Sequence, residues 1–128
     1  MQILLTVSYE FGVHKGLGLI EGKVIKISNE KNKEIKIPHI GWNEIYPNNN
    51  KKEWKNKILK NPLIGKSFYF VHSFICLTKD SDSTIAVCNY SDISIPAVVA
   101  TGNVFGCQFH PEKSSDNGLA VLKNFCEI

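Results

Sequence analysis

His110 and Glu112 stand two positions apart at the close of an apolar run, in the segment Phe105 to Ser114 that reads FGCQFHPEKS. An imidazole beside a carboxylate suits general-base work. The ring takes a proton from a nucleophile, while the carboxylate on its other nitrogen fixes the tautomer and steadies the cation. In an extended strand Gln108 and His110 share one face and Cys107 and Phe109 the other. Pro111 cannot continue a central strand, so the chain is expected to turn there and bring Glu112 beside His110. Cys107 is the nearest thiol in sequence, but it is expected to leave the opposite face, in an apolar run where a thiol is inert. The same spacing also fits a strand-ending turn with a solvated histidine and glutamate.

The elements that must carry these residues follow from periodicity. Met1, Leu4 and Leu5 recur at helical spacing with Ile3 and Val7 beside them, which predicts a buried helix from Met1 to about Ser8. Gly16, Gly18 and Gly22 punctuate a loop leading to a strand at Lys23–Ile27. They do not make a dinucleotide fingerprint, because Glu21 takes the place of the third glycine and no strand comes first. A short strand is predicted near Ile35–Ile37, then a loop through Pro38, Gly41 and Trp42. Trp54 and Ile58, four apart among lysines, predict a short amphipathic helix stopped before Pro62. The lysines read either as a solvated face or as a basic docking surface. From Ser67 strand follows strand in SFYFVHSFICL, STIAVCNY, IPAVVA and NVFGCQF, with Gly102-Asn103 as a tight hairpin turn between the last two. Leu119, Leu122 and Cys126 at helical spacing, with Val121 and Phe125, predict a C-terminal helix capped by Ser114 or Ser115.

Composition limits the function classes. A chain of 128 residues makes one domain, and 43% hydrophobic with 21% charged residues is ordinary globular composition. No apolar run approaches membrane-spanning length and the start lacks signal-peptide character, so the expected compartment is the cytoplasm. Cysteines 76, 88, 107 and 126 include no C-x-x-C pair, so no metal site, cofactor or disulfide framework is called for. The basic residues are all lysines and the net charge is only +3, which argues against a nucleic-acid partner.

FGCQFHPEKS, IPHIGWNEI, FYFVHSF and EFGVHKGLGLIEGKV together resemble the glutaminase subunit of imidazole glycerol phosphate synthase, a class I glutamine amidotransferase. The likeness runs from Met1 to Phe125. HPE alone would mark the wider class; PHIGWN and VHS narrow it. The resemblance implies an α/β fold: the C-terminal portion of a flavodoxin-like amidotransferase domain, with a mixed sheet flanked by helices and late strands partly antiparallel. In that family the nucleophilic cysteine sits in a pattern resembling G-x-C-L-G-M-Q, whose last two residues stand here as Met1 and Gln2. The cysteine is therefore expected ahead of Met1, outside residues 1–128, and the chain by itself is expected to be inactive.

Carried over by position, the resemblance implies that His110 is the general base and acid and Glu112 its orienting partner. Gln2 would contact glutamine, and backbone groups around His72, Ser73 and Phe74 would hold its amino-acid end. Many relatives carry tyrosine at the place of Phe74, which leaves the backbone role intact. His39, Gly41, Trp42, Asn43 and Lys113 would face a synthase partner that receives ammonia, with His39 read equally well as a loop residue bonded to backbone. The implied partner is the cyclase of histidine biosynthesis. A sugar amidotransferase of surface-polysaccharide synthesis and an inactive partner-binding remnant remain open as alternatives.

Overall fold

The structure is a computed structural model that describes residues 1–28, 35–54 and 56–128. Nine strands build two sheets among the described residues: β1 (Leu5–Ser8), β2 (His14–Lys15), β3 (Ile20–Lys26), β4 (His39–Pro47), β5 (Ser67–His72), β6 (Phe74–Thr78), β7 (Thr84–Tyr90), β8 (Ile93–Thr101) and β9 (Val104–Cys107). One α-helix, α1 (Ser115–Cys126), follows. The smaller sheet has the order β2-β1-β3-β6 and the larger β5-β4-β7-β8-β9. All pairings are antiparallel except β1 with β3, which makes the smaller sheet mixed. No helix among the described residues is long and apolar enough to cross a membrane.

β8 is the hub. Residues Ile95 to Ala100 are buried without alternation, the pattern of a strand covered on both faces. Pro96 lacks the N–H that a central strand needs, and the register opposite it is irregular around Ala86 and Val87, where a missing ladder bond is tolerated. The turn to β9 is the predicted one: Gly102 takes φ 55°, a left-handed conformation that glycine adopts without Cβ strain. One core joins Ile45, Phe68, Phe70, Cys88, Ile95 and Val98 to Val121 of α1. A second gathers Leu5, Ile20, Val24, Cys76 and Val99 under the smaller sheet.

Four predicted segments differ. Met1–Ser8 is a short 3-10 turn over Gln2–Leu4 followed by β1, because Leu5 and Val7 alternate and pair with β3, at Leu5↔Ile20 and Val7↔Lys23. Ile35–Ile37 is an irregular lead-in rather than a strand, and the loop predicted through Gly41 and Trp42 lies inside β4. Trp54 and Ile58 are buried as an amphipathic face would require, yet the described residues around them form no helix; Lys55 lies outside the description. The Asn56 side chain accepts from the backbone N–H groups of Ile58 (3.0 Å) and Leu59 (3.4 Å), a local bond that competes with helical pairing.

Candidate active site

The ladder of β9 ends at Cys107, but Gln108 still donates its N–H to Ala97 at 2.8 Å. Phe109 is buried and its ring lies 4.3 Å from Phe68 and 5.8 Å from Phe70, centroid to centroid, which anchors the chain before it turns. His110 donates its N–H to Tyr69 of β5 at 2.9 Å. Pro111 then opens a 3-10 turn, Pro111–Lys113. Ser114 does not cap α1 with its side chain. Its hydroxyl donates to the His110 carbonyl at 2.7 Å and accepts from the Tyr69 N–H at 2.9 Å, tying β5, the turn and the start of α1 together.

This frame sets His110 Nδ1 2.9 Å from Glu112 Oε1. The carboxyl of Glu112 is held below its ordinary value, first by its own backbone N–H and then by the His110 bond. An ionised carboxylate only accepts, so Nδ1 carries the proton it shares, and in the neutral ring the lone pair falls to Nε2. The pair is partly exposed, with side chains 40% and 58% accessible. That geometry suits a base with an orienting partner.

His110 opens on a cleft of about 550 Å³, whose walls include Met1, Gln2, Glu10, the bend His72–Phe74, Cys107 and Gln108. A larger hollow of about 790 Å³ lies against Lys51–Trp54, Asp82, Thr84 and Ile85, which include no histidine or thiol. The bend is where the chain leaves the larger sheet at His72 and enters the smaller at Phe74; its Ser73 carbonyl accepts from Ile27 N–H at 2.9 Å. Glu10 carries no signal in the sequence, where a lone acid between two short segments makes no pattern. Its placement on the wall offers a carboxylate to a positively charged group.

Cys107 adjoins the same cleft as Gln108, Phe109 and His110. Burial pushes its thiol up to about 12, as it does for Cys76 and Cys88, which keeps it an inert thiol. Cys126 ends α1, about 18 Å of helix beyond the turn that holds His110.

On the outer side, Gly41, Trp42 and Asn43 belong to β4, and Trp42 is 53% exposed with its ring 5.8 Å from Tyr69. Lys113 is exposed on the turn after His110. His39 is not a loop residue bonded to backbone. It starts β4, is fully buried, and bonds the side chains of His72 and Asn43.

The family described as Glutamine amidotransferase class-I matches residues 2–128. The "Imidazole glycerol phosphate synthase subunit HisH 1" of Legionella pneumophila (strain Lens) is 42% identical over 130 residues, covering 100% of this chain and 61% of the relative. The corresponding HisH subunit of Pyrococcus furiosus is 43% identical over 126 residues, covering 98% of this chain and 59% of its own length. That of Wolinella succinogenes is 43% identical over 129 residues, at 100% and 60%. The chain thus spans about three fifths of the curated relatives it matches. With a family match across nearly every residue and the histidine, carboxylate and cleft in one place, the chain belongs to the class-I glutamine amidotransferases, an enzyme family.

Proposed function

We propose that residues 1–128 form the part of a type-1 amidotransferase domain that supplies the base and the substrate cradle for glutamine hydrolysis, with the ammonia delivered to a synthase partner. The observation that carries this reading is the His110–Glu112 pair at 2.9 Å, opening on a cleft walled by Gln2 and the His72–Phe74 bend. The similarity to subunits of imidazole glycerol phosphate synthase favours the cyclase of histidine biosynthesis as that partner.

The chemistry needs a thiolate supplied from outside the described residues. Its sulfur bonds to the side-chain amide carbon of glutamine, the tetrahedral oxyanion is held by backbone donors, and the carbon–nitrogen bond breaks as imidazolium His110 gives its proton to the leaving ammonia. His110 Nε2 next takes a proton from water, whose oxygen attacks the thioester, and glutamate departs as the sulfur is released. Glu112 keeps the ring oriented through both steps. Gln2 and backbone groups of Ser73 and Phe74 hold the amino-acid end, and Glu10 faces its ammonium. Gly41, Trp42, Asn43 and Lys113 form the side turned to the partner, with His39 buttressing Asn43 from beneath.

The test is a comparison of glutamate release from glutamine. The 128-residue chain alone is expected to give none above background. A chimera that joins the unmatched part of the Legionella subunit to this chain is expected to hydrolyse glutamine, and His110→Ala in it to cost ~10⁴- to 10⁶-fold in kcat. Activity of the chain alone, or a chimera indifferent to His110→Ala, would overturn the reading.

A further inference from the structure

His39 and His72 pair in register across β4 and β5, and both rings are buried, His39 completely and His72 to 6% exposure. Their nitrogens form a single line. His72 Nδ1 lies 2.9 Å from the Phe74 carbonyl oxygen, His72 Nε2 lies 2.8 Å from His39 Nδ1, and His39 Nε2 lies 2.7 Å from Asn43 Oδ1. Beyond it, Asn43 Nδ2 donates to the Asn89 carbonyl at 3.1 Å, which turns the amide oxygen toward the ring. The line therefore ends in an acceptor on both sides. Three hydrogen bonds need three protons on the four ring nitrogens, whereas two neutral imidazoles carry one each. Turning the Asn43 amide over only moves the deficit, because Oδ1 would then meet the Asn89 oxygen.

Two effects compete for the third proton. Burial disfavours a cation and lowers the proton affinity of both rings. Against it stand the Asn43 oxygen and two aromatic faces: Tyr90 stacks on His39 at 4.0 Å and Phe70 at 5.1 Å, placements in which a cation is attracted by the ring quadrupole. The groups facing the pair are Phe70 from β5, Tyr90 and Asn89 from β7, and the Phe74 carbonyl from β6; the Tyr90 hydroxyl is engaged elsewhere, donating to the Lys36 carbonyl at 2.7 Å. Among the described residues, the hydrogen-bond partners of the two rings are each other, the Asn43 amide and the Phe74 carbonyl, none of them a carboxylate. Once one ring is charged the other resists a second proton, and His72, already disfavoured by burial, is pushed down to about 4.

We propose that His39 and His72 work as a one-proton dyad: in mildly acidic solution His39 becomes the doubly protonated ring while His72 keeps Nδ1–H, and loss of that proton turns the Asn43 amide. The dyad connects the carbonyl of the cleft-lining bend to the outer side of β4, so the proton ties the two places together. This inference is independent of the glutaminase reading.

The test is nitrogen-15 NMR of the histidine rings and the Asn43 side-chain amide in the whole chain, titrated from pH 8 to acid unfolding. His72 is expected to hold its Nδ1–H neutral signature while His39 passes to imidazolium with a midpoint below 6.5, and the Asn43 amide signals to move with the same midpoint. In Asn43→Asp the charged acceptor is expected to raise the His39 midpoint by about one unit or more. The proposal is overturned if both rings stay neutral until the chain unfolds, if His72 takes the first proton, or if Asn43→Asp leaves His39 unmoved.

Discussion

Ser114 does more for the placement of His110 than its position in the sequence suggests. Fully buried, it spends its hydroxyl on two backbone groups, accepting from Tyr69 and donating to His110. Ser114→Ala removes both bonds and leaves the half-buried Tyr69 N–H without that acceptor, which is expected to cost about 1–3 kcal/mol in urea denaturation. The sequence offered Ser114 as a helix cap, a local role, whereas one of its two partners, Tyr69, is contributed by a strand forty-five residues earlier. His110 and Glu112 were legible because both partners lie within one turn. The alliance of His72 with His39 was not, since it spans thirty-three residues and depends on the register of β4 against β5.

At the level of elements, the close contact between α1 and the turn before it is governed by Gly118. A Cβ there would stand 1.9 Å from the Pro111 carbonyl oxygen, a backbone atom that cannot swing aside. Alanine gains about 1 kcal/mol over glycine in helix propensity. Overpacking of this severity typically costs ~1–3 kcal/mol or more. Gly118→Ala is therefore expected to destabilise despite favouring the helix, with a lowered urea midpoint as the readout; an unchanged or raised midpoint would contradict the contact. The hairpins from Thr84 onward could be read from sequence because β7 pairs with β8, and β8 with β9, across short turns. β1 could not, because its partner β3 is reached through a parallel pairing and its apolar residues fit helical and strand periods alike. Helix α1 was located correctly, but Leu119, Leu122 and Phe125 are 59%, 39% and 54% exposed, and Val121 carries the burial. Periodicity finds an apolar stripe without saying which part of it meets a core.

For the molecule as a whole, acid is the expected weakness. His72 has its proton affinity lowered in the folded state, to about 4 against an ordinary 6.5, so the unfolded chain binds more protons between those values. Stability is accordingly complete above about pH 6.5 and falls as pH drops toward 4. Glu112, also held below its ordinary value, adds a loss in the same direction below 4.5. Urea midpoints measured from pH 7.5 to 4 are expected to decline steadily, and a flat profile would exclude the buried neutral histidine. The two sheets meet where the Ser73 bend passes between them, so the cleft sits on the seam and depends on both. Finally, the uneven placement of the cysteines has a practical consequence. Three thiols are kept protonated by burial while Cys126 is exposed at the end of α1. A maleimide dye at neutral pH is therefore expected to attach once per native chain, detected as a single mass increment, and to supply a fluorescent reporter on the helix that starts beside the Pro111–Lys113 turn without touching the cleft.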